Sequence, residues 1–134
     1  MCEFNQSNQY ISHDVVLFWH PRSAFSQWTL SPFTVDLVEY NSAEQFMMAS
    51  KARLFGDDTA LSAILASNDP REQKRLGRQV RHFDPALWQD ECETIVLHGN
   101  LAKFSQTEEM RVALENTGTR RIAEAHTTKY GASA

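Results

Sequence analysis

The chain is short of cysteine, glycine and proline, has no long apolar run and carries no excess of positive charge. Its 134 residues include two cysteines, five glycines and four prolines. Cys2 and Cys92 lie far apart in sequence, so no disulfide framework is expected, and a reducing cytoplasm is the expected compartment. The N-terminus lacks a basic region followed by an apolar core, which predicts no signal peptide. No apolar stretch approaches membrane-spanning length, so no membrane partner is expected. A net charge of −4 argues against a protein that coats nucleic acid by bulk electrostatics, and leaves room for one nucleotide in a pocket. Cys-x-x-Cys and His-Glu-x-x-His are both absent. His13, His20, His82, His98 and His126 are scattered without metal-ligand spacing, which predicts no metal site. Neither a glycine-rich phosphate loop nor a serine in a nucleophile elbow is present. Metal hydrolase, P-loop and serine hydrolase readings fall away. No repeat or linker divides the chain, so the sequence predicts one domain over residues 1–134, with residues 1–12 loose.

What is present centres on residues 41–56, Asn-Ser-Ala-Glu-Gln-Phe-Met-Met-Ala-Ser-Lys-Ala-Arg-Leu-Phe-Gly. Ser42 suits an N-cap, Gln45 can complete a capping box, and Gly56 suits the C-terminal cap. Phe46, Met47, Ser50 and Leu54 fall on an inward stripe at helical spacing. Glu44, Met48, Lys51 and Phe55 form a second stripe beside it. Glu44 and Lys51 are two turns apart and share a face, about 10 Å apart along the axis.

The segments 15–19 and 33–38 read as strands of one small sheet, from their β-branched and aromatic content and alternation. The breaks at Pro21 and Pro32 separate them. Residues 58–66 read as a short helix. Asp69-Pro70-x-Glu72 starts another that stops near Gly77. Asp84-Pro85 opens a helix to about Ala102. Ser105 with Glu108 reads as a capping box for a helix ending near residues 116–118, and a further element begins at Ile122.

Taken alone, Glu44 reads as an exposed helix-start carboxylate, Lys51 as a solvated lysine, and Arg78 as a cation favourable at a helix end. Trp19, Trp28 and Trp88 read as core anchors.

Longer words in the chain change that reading. Phe18-Trp19, Phe25-Ser26-Gln27-Trp28, Ser31-Pro32-Phe33 and residues 42–57 resemble the YbiA-like family, also called NADAR. So do Lys74-x-Leu76-Gly77-Arg78-x-Val80-x-x-Phe83-Asp84, Trp88, and Gly99-Asn100-x-Ala102-Lys103-Phe104. The order holds from about residue 15 to residue 125. The resemblance implies an α+β fold dominated by helices, with a small antiparallel sheet near the N-terminus. It also implies N-glycosidase chemistry on a ribosylated nitrogen. One branch of the family hydrolyses phosphoribosylamino-pyrimidine intermediates of riboflavin synthesis. Another handles ADP-ribose, including its removal from modified guanine in DNA. On this resemblance Glu44 is the catalytic carboxylate, which can stabilise oxocarbenium charge or activate water. Phe18, Trp19, Phe25, Ser26, Lys51, Gly77, Arg78, Trp88 and Lys103 are the substrate-binding set. Aromatic faces among them would carry the base, and Lys51, Arg78 or Lys103 the phosphate. No cofactor is expected. The partner is a phosphoribosyl or ADP-ribosyl small molecule, or an ADP-ribosylated nucleic acid.

The family pattern continues with a late Trp-Gly motif, an acidic residue and a final helix. Here the chain reads His-Thr-Thr-Lys-Tyr-Gly-Ala-Ser-Ala over residues 126–134, a domain shortened relative to that pattern. Tyr130-Gly131 is the one candidate remnant. This departure supports a second reading, a catalytically weakened module that binds ADP-ribose or a related nucleotide. A third is an interaction protein that keeps only the scaffold.

Overall fold

The computed structural model describes residues 3–5, 9–11, 15–18 and 23–124. The element order is β1 (Glu3–Asn5), β2 (Gln9–Ile11), β3 (Val15–Phe18), β4 (Phe33–Val35), β5 (Val38–Tyr40), α1 (Ala43–Leu54), α2 (Asp58–Ala66), α3 (Pro70–Arg78), α4 (Pro85–Gln106), α5 (Glu108–Glu115) and β6 (Arg121–Glu124). The architecture is α+β and mainly helical, with antiparallel strands near the N-terminus, in line with the sequence reading. Two compact units are present, one drawn from residues 1–29 and 107–134, the other from residues 30–106.

The first unit carries a four-stranded sheet in the order β1-β2-β3-β6. Its first three strands pair antiparallel, and β6 lies parallel to β3 with Val15 opposite Arg121 and Phe18 opposite Glu124. Residues 1–12, expected to be loose, therefore supply two strands. The strand signal there is weak, and pairing of β1 with β2 and of β2 with β3 supplies what local propensity does not. Trp19, expected to end a strand, lies outside the described residues. Helix α5 also belongs to this unit. Its N-cap is Thr107, whose hydroxyl accepts the Met110 N–H at 3.2 Å. Ser105 was expected in that role but lies in the last turn of α4, two residues earlier.

In the second unit, β4 and β5 form their own two-stranded antiparallel sheet. The expectation of one sheet joining residues 15–19 to 33–38 is therefore corrected. The run 33–38 is also broken. Asp36 and Leu37 take φ values of +52° and +69°, the pattern of a two-residue type I′ hairpin turn. Aspartate tolerates that region, and Leu37 does not ordinarily favour it. The β4 edge is closed by Gln106, whose amide accepts the Thr34 N–H at 2.8 Å and donates to the Thr34 carbonyl at 2.6 Å.

Helix α1 is the centre of this unit and packs on α2, α3 and α4. Phe46, Met48, Ala49 and Ala52 are buried in one cluster with Phe33, Tyr40 and Ile64. Met47, Ser50 and Leu54, expected inward, are only half-buried. A helix enclosed on several sides buries more than one stripe, so the small residues Ala49 and Ala52 face the core where helices approach closely.

The ends of the helices are closed by side chains. Ser42 caps α1 by accepting the Gln45 N–H at 3.1 Å. Gln45 accepts the Asn41 N–H at 2.7 Å and donates to the carbonyls of Ile64 and Ser67, each at 3.1 Å. Gln73, fully buried, donates to the Ser67 carbonyl at 2.8 Å and to Asn41 Oδ1 at 3.1 Å. Two buried amides thus satisfy the open carbonyl end of α2 and tie it to the start of α1. Gly56 follows the C-cap Phe55 at φ +72°, the left-handed position that glycine takes at lowest cost.

Candidate functional site

Glu44 is the second residue of α1, and Ser42 and Gln45 anchor the turn around it. The residue is 4% exposed, and its Oε2 is shielded from solvent. The exposed carboxylate expected from the residues alone is therefore buried. Local sequence could not show this, because burial is a property of the folded chain and not of one helix turn. Its place in the first turn sets the carboxylate against the positive end of the helix dipole.

Lys51 lies two turns on and is half-buried. Its Nζ is 4.6 Å from the centroid of the Phe83 ring and 5.4 Å from that of Trp88. Burial pushes the ammonium below the usual lysine value, and the Glu44 carboxylate pulls it back up. Glu44 and Lys51 thus act on each other by charge along the shared face, and Trp88 of α4 stands near the lysine. Phe83 completes the group. It stands in one of the family-like words, but the sequence reading gave it no role, and only the fold of the α3–α4 loop brings it over Lys51.

The other site candidates divide. Gly77 has a packing role: a Cβ there would run into Met48 Sδ and come within 2.9 Å of Met48 Cγ. Its missing side chain lets α3 lie against α1. Arg78 is exposed at the C-terminal end of α3. Lys103 on α4 is 1% exposed, with its Nζ 4.8 Å from the Phe104 ring. Phe25 and Ser26 belong to the first unit and are both buried. They stand in a run of turns in which Ser26 Oγ accepts the Trp28 N–H at 3.1 Å. Trp19 lies outside the described residues, as does Tyr130-Gly131, and for Phe18 only the backbone is described.

Burial pushes the Lys103 ammonium down to about 8. A lysine lowered in the folded state binds fewer protons there than in the unfolded chain between its two values. Stability should then rise from about pH 8 to the ordinary lysine value of 10.5. The burial penalty is full below that window and is on the order of 3 kcal/mol. Urea unfolding across the window checks this. The rise should be present in the native protein and absent from Lys103→Met. A flat native profile would contradict it.

A concavity of about 510 Å³ is lined by Tyr40, Phe46, Arg53, Ile95 and His98 among others, and by neither Glu44 nor Lys51. At helical spacing, Phe46 and Arg53 fall on the face of α1 opposite Glu44 and Lys51. Among the described residues no three His, Cys, Asp or Glu side chains gather as a metal-binding set, and no helix is long and apolar enough to cross a membrane.

Comparison with known proteins gives concordant results. The NADAR domain profile matches residues 17–130. The N-glycosidase R617 of Acanthamoeba polyphaga mimivirus is 42% identical over 106 residues, covering 75% of this chain and 62% of that protein. Protein irg-1 of Caenorhabditis elegans is 30% identical, covering 89% of this chain and 66% of that protein. The chain thus spans slightly less than two thirds of the length of either relative. The NMR structure of the E. coli protein YbiA superposes with a TM-score of 0.76 over 94% of this chain and 76% of its own, at 21% identity. That likeness supports the fold.

Proposed function

The chain belongs to the NADAR domain family, and from that premise we propose that it is an N-glycosidase cleaving the C–N bond between a ribosyl carbon and a base. The observation that carries the reading is the buried Glu44 carboxylate on one helix face with Lys51, whose ammonium lies against two aromatic rings. The similarity to a protein named an N-glycosidase, at 42% identity, supports it. The substrate class is a phosphoribosylated or ADP-ribosylated base, of the riboflavin-intermediate or ADP-ribosyl-guanine type. An ADP-ribosylated nucleic acid is a further form of it. The cytoplasm suggested by cysteine usage is the compartment of the same proposal.

Cleavage of a ribosyl C–N bond develops positive charge at the anomeric carbon. Glu44 offers the negative charge that stabilises it, or takes a proton from the attacking water. Trp88 provides a flat apolar face for the base. Phe18, Trp19 and Phe25 are aromatic candidates, and Ser26 a polar one, on the family resemblance alone. Arg78, exposed at a helix end, is the cation proposed for the phosphate, with Lys103, which is buried, as the other candidate. Lys51 acts beside Glu44, where its ammonium offsets the carboxylate's charge. Gly77 contributes by setting the α1–α3 distance.

Calorimetric titration with ADP-ribose tests the binding half of this reading. We expect measurable affinity, weakened in Arg78→Ala by about 1.5–3 kcal/mol, the scale of a charge-assisted hydrogen bond. No heat with any ribose phosphate would remove the proposal. Binding without base release from either substrate type would support the nucleotide-binding module.

A further inference from the structure

The loop between α3 and α4 is held in an unusual way. Asp57, 3% exposed, caps α2 by accepting the Ala60 N–H at 3.0 Å. The same carboxylate accepts the backbone N–H of Arg81 at 2.9 Å and its guanidinium at 3.2 Å. These donors, the Arg81 backbone first, hold the Asp57 carboxyl well below the usual carboxylate range. The latch fixes Arg81, the third residue of the loop. The next, His82, takes φ +63°, which turns the chain so that Phe83 comes back over α1. There the Phe83 ring meets Phe55 edge-on at 5.3 Å and covers Lys51. Phe83 is 43% exposed, so core burial does not account for its placement.

We propose that Phe83 is a positioning residue that acts through Lys51. Its ring, latched by Asp57 and Arg81, holds the ammonium against Trp88 and beside Glu44. A lysine has a long flexible stem and a strongly hydrated head, and left uncovered it swings into water. The negative face of an aromatic ring holds the cation and shields it from solvent at once. Nearby charges are otherwise engaged. Arg81 is bound by Asp57, and Asp84 Oδ1 accepts the Ala86 N–H at 3.0 Å. Glu44 is the charge that acts on Lys51, and His82 stands next to Phe83 in the loop. The proposal rests on the N-glycosidase reading for its catalytic meaning, but the clamp itself can be tested without turnover.

The test is NMR titration of the Lys51 side chain in lysine-labelled full-length protein, assigned with Lys51→Arg. Two effects of the ring have opposite signs. Phe83→Leu keeps the apolar cover but loses the ring face, so the ammonium is destabilised and Lys51 should titrate lower than in the native protein. Phe83→Ala admits water and should move it up, toward the ordinary 10.5. Phe83→Tyr keeps the ring and should restore the native value. In the turnover assay, Phe83→Leu should lower kcat with KM little changed, and Phe83→Tyr should recover it. Should Phe83→Ala fail to fold, the Leu and Tyr pair decides alone. An unchanged Lys51 titration in Phe83→Leu, or a shift in the same direction as Phe83→Ala, overturns the clamp. The expected titrations with an inactive native protein leave the clamp standing and reject the enzyme reading instead.

Discussion

Glu44→Gln should lower N-glycosidase turnover on the order of a hundredfold or more, with fold and ligand affinity largely retained. Glutamine keeps the size and the hydrogen-bonding capacity of the side chain. It brings no negative charge to an oxocarbenium centre and takes no proton from water at neutral pH, and a positioned acid–base group is worth about that factor. The site makes the comparison clean. Glu44 is 4% exposed on a turn fixed by Ser42 and Gln45, so an isosteric replacement has little room to rearrange. A second consequence follows from the coupling to Lys51. The carboxylate raises the lysine against its burial, so Lys51 in Glu44→Gln should titrate lower than in the native protein. Base release should be measured on phosphoribosylamino-pyrimidine and ADP-ribosylated substrates, with native protein and variant side by side. Equal activity in both would reject Glu44 as the catalytic carboxylate. Inactivity in both with intact ADP-ribose binding would favour the nucleotide-binding module.

Phe46→Ala should cost about 3–5 kcal/mol of stability, the range for truncating a buried aromatic. Phe46 is 5% exposed and joins elements that local sequence does not connect. Its ring centroid lies 5.0 Å from Tyr40, 6.1 Å from Phe33 and 5.4 Å from His98. On α4, a Cβ at Gly99 would come within 2.6 Å of Phe46 Cδ2, so the ring occupies the space that the glycine leaves. Backbone atoms of α4 cannot follow the ring inward, which keeps the cavity in the variant large. The melting temperature should fall by roughly 10 °C or more, and the urea midpoint should move down with it. A loss below about 1 kcal/mol would show that α1 and α4 close over the gap and that Phe46 does not join them.

The boundaries of several elements were legible because their signals are local. The cap at Ser42, the Asp69-Pro70 start and Gly56 at the end of α1 each act over one turn, and each stands where it was read. The turn at Asp36-Leu37 was not legible, because Leu37 carries no left-handed preference and the hairpin imposes the conformation. The strand character of residues 3–5 and 9–11 was not legible either, because they pair with each other and, through β2, with β3, and neighbouring strands supply the hydrogen bonds. For the site, the Glu44–Lys51 pairing followed from a seven-residue spacing on a well-signalled helix. Trp88 followed only from the family-like words. The role proposed for Phe83 did not follow, because it depends on Asp57 holding Arg81 across two intervening helices.

By itself the sequence determined the family and the mainly helical α+β class, and it pointed to Glu44 as the charge proposed for the candidate site. Periodicity, caps and short words are properties of neighbouring residues, and neighbouring residues are what a chain specifies directly. Tertiary structure alone decided that Glu44 is buried, that Gly77 and Gly99 serve close packing, that the strands divide into two sheets, and that Phe83 covers Lys51. Each of these depends on groups distant in sequence meeting in space. Burial, desolvation and ring–cation contact arise only when those groups meet.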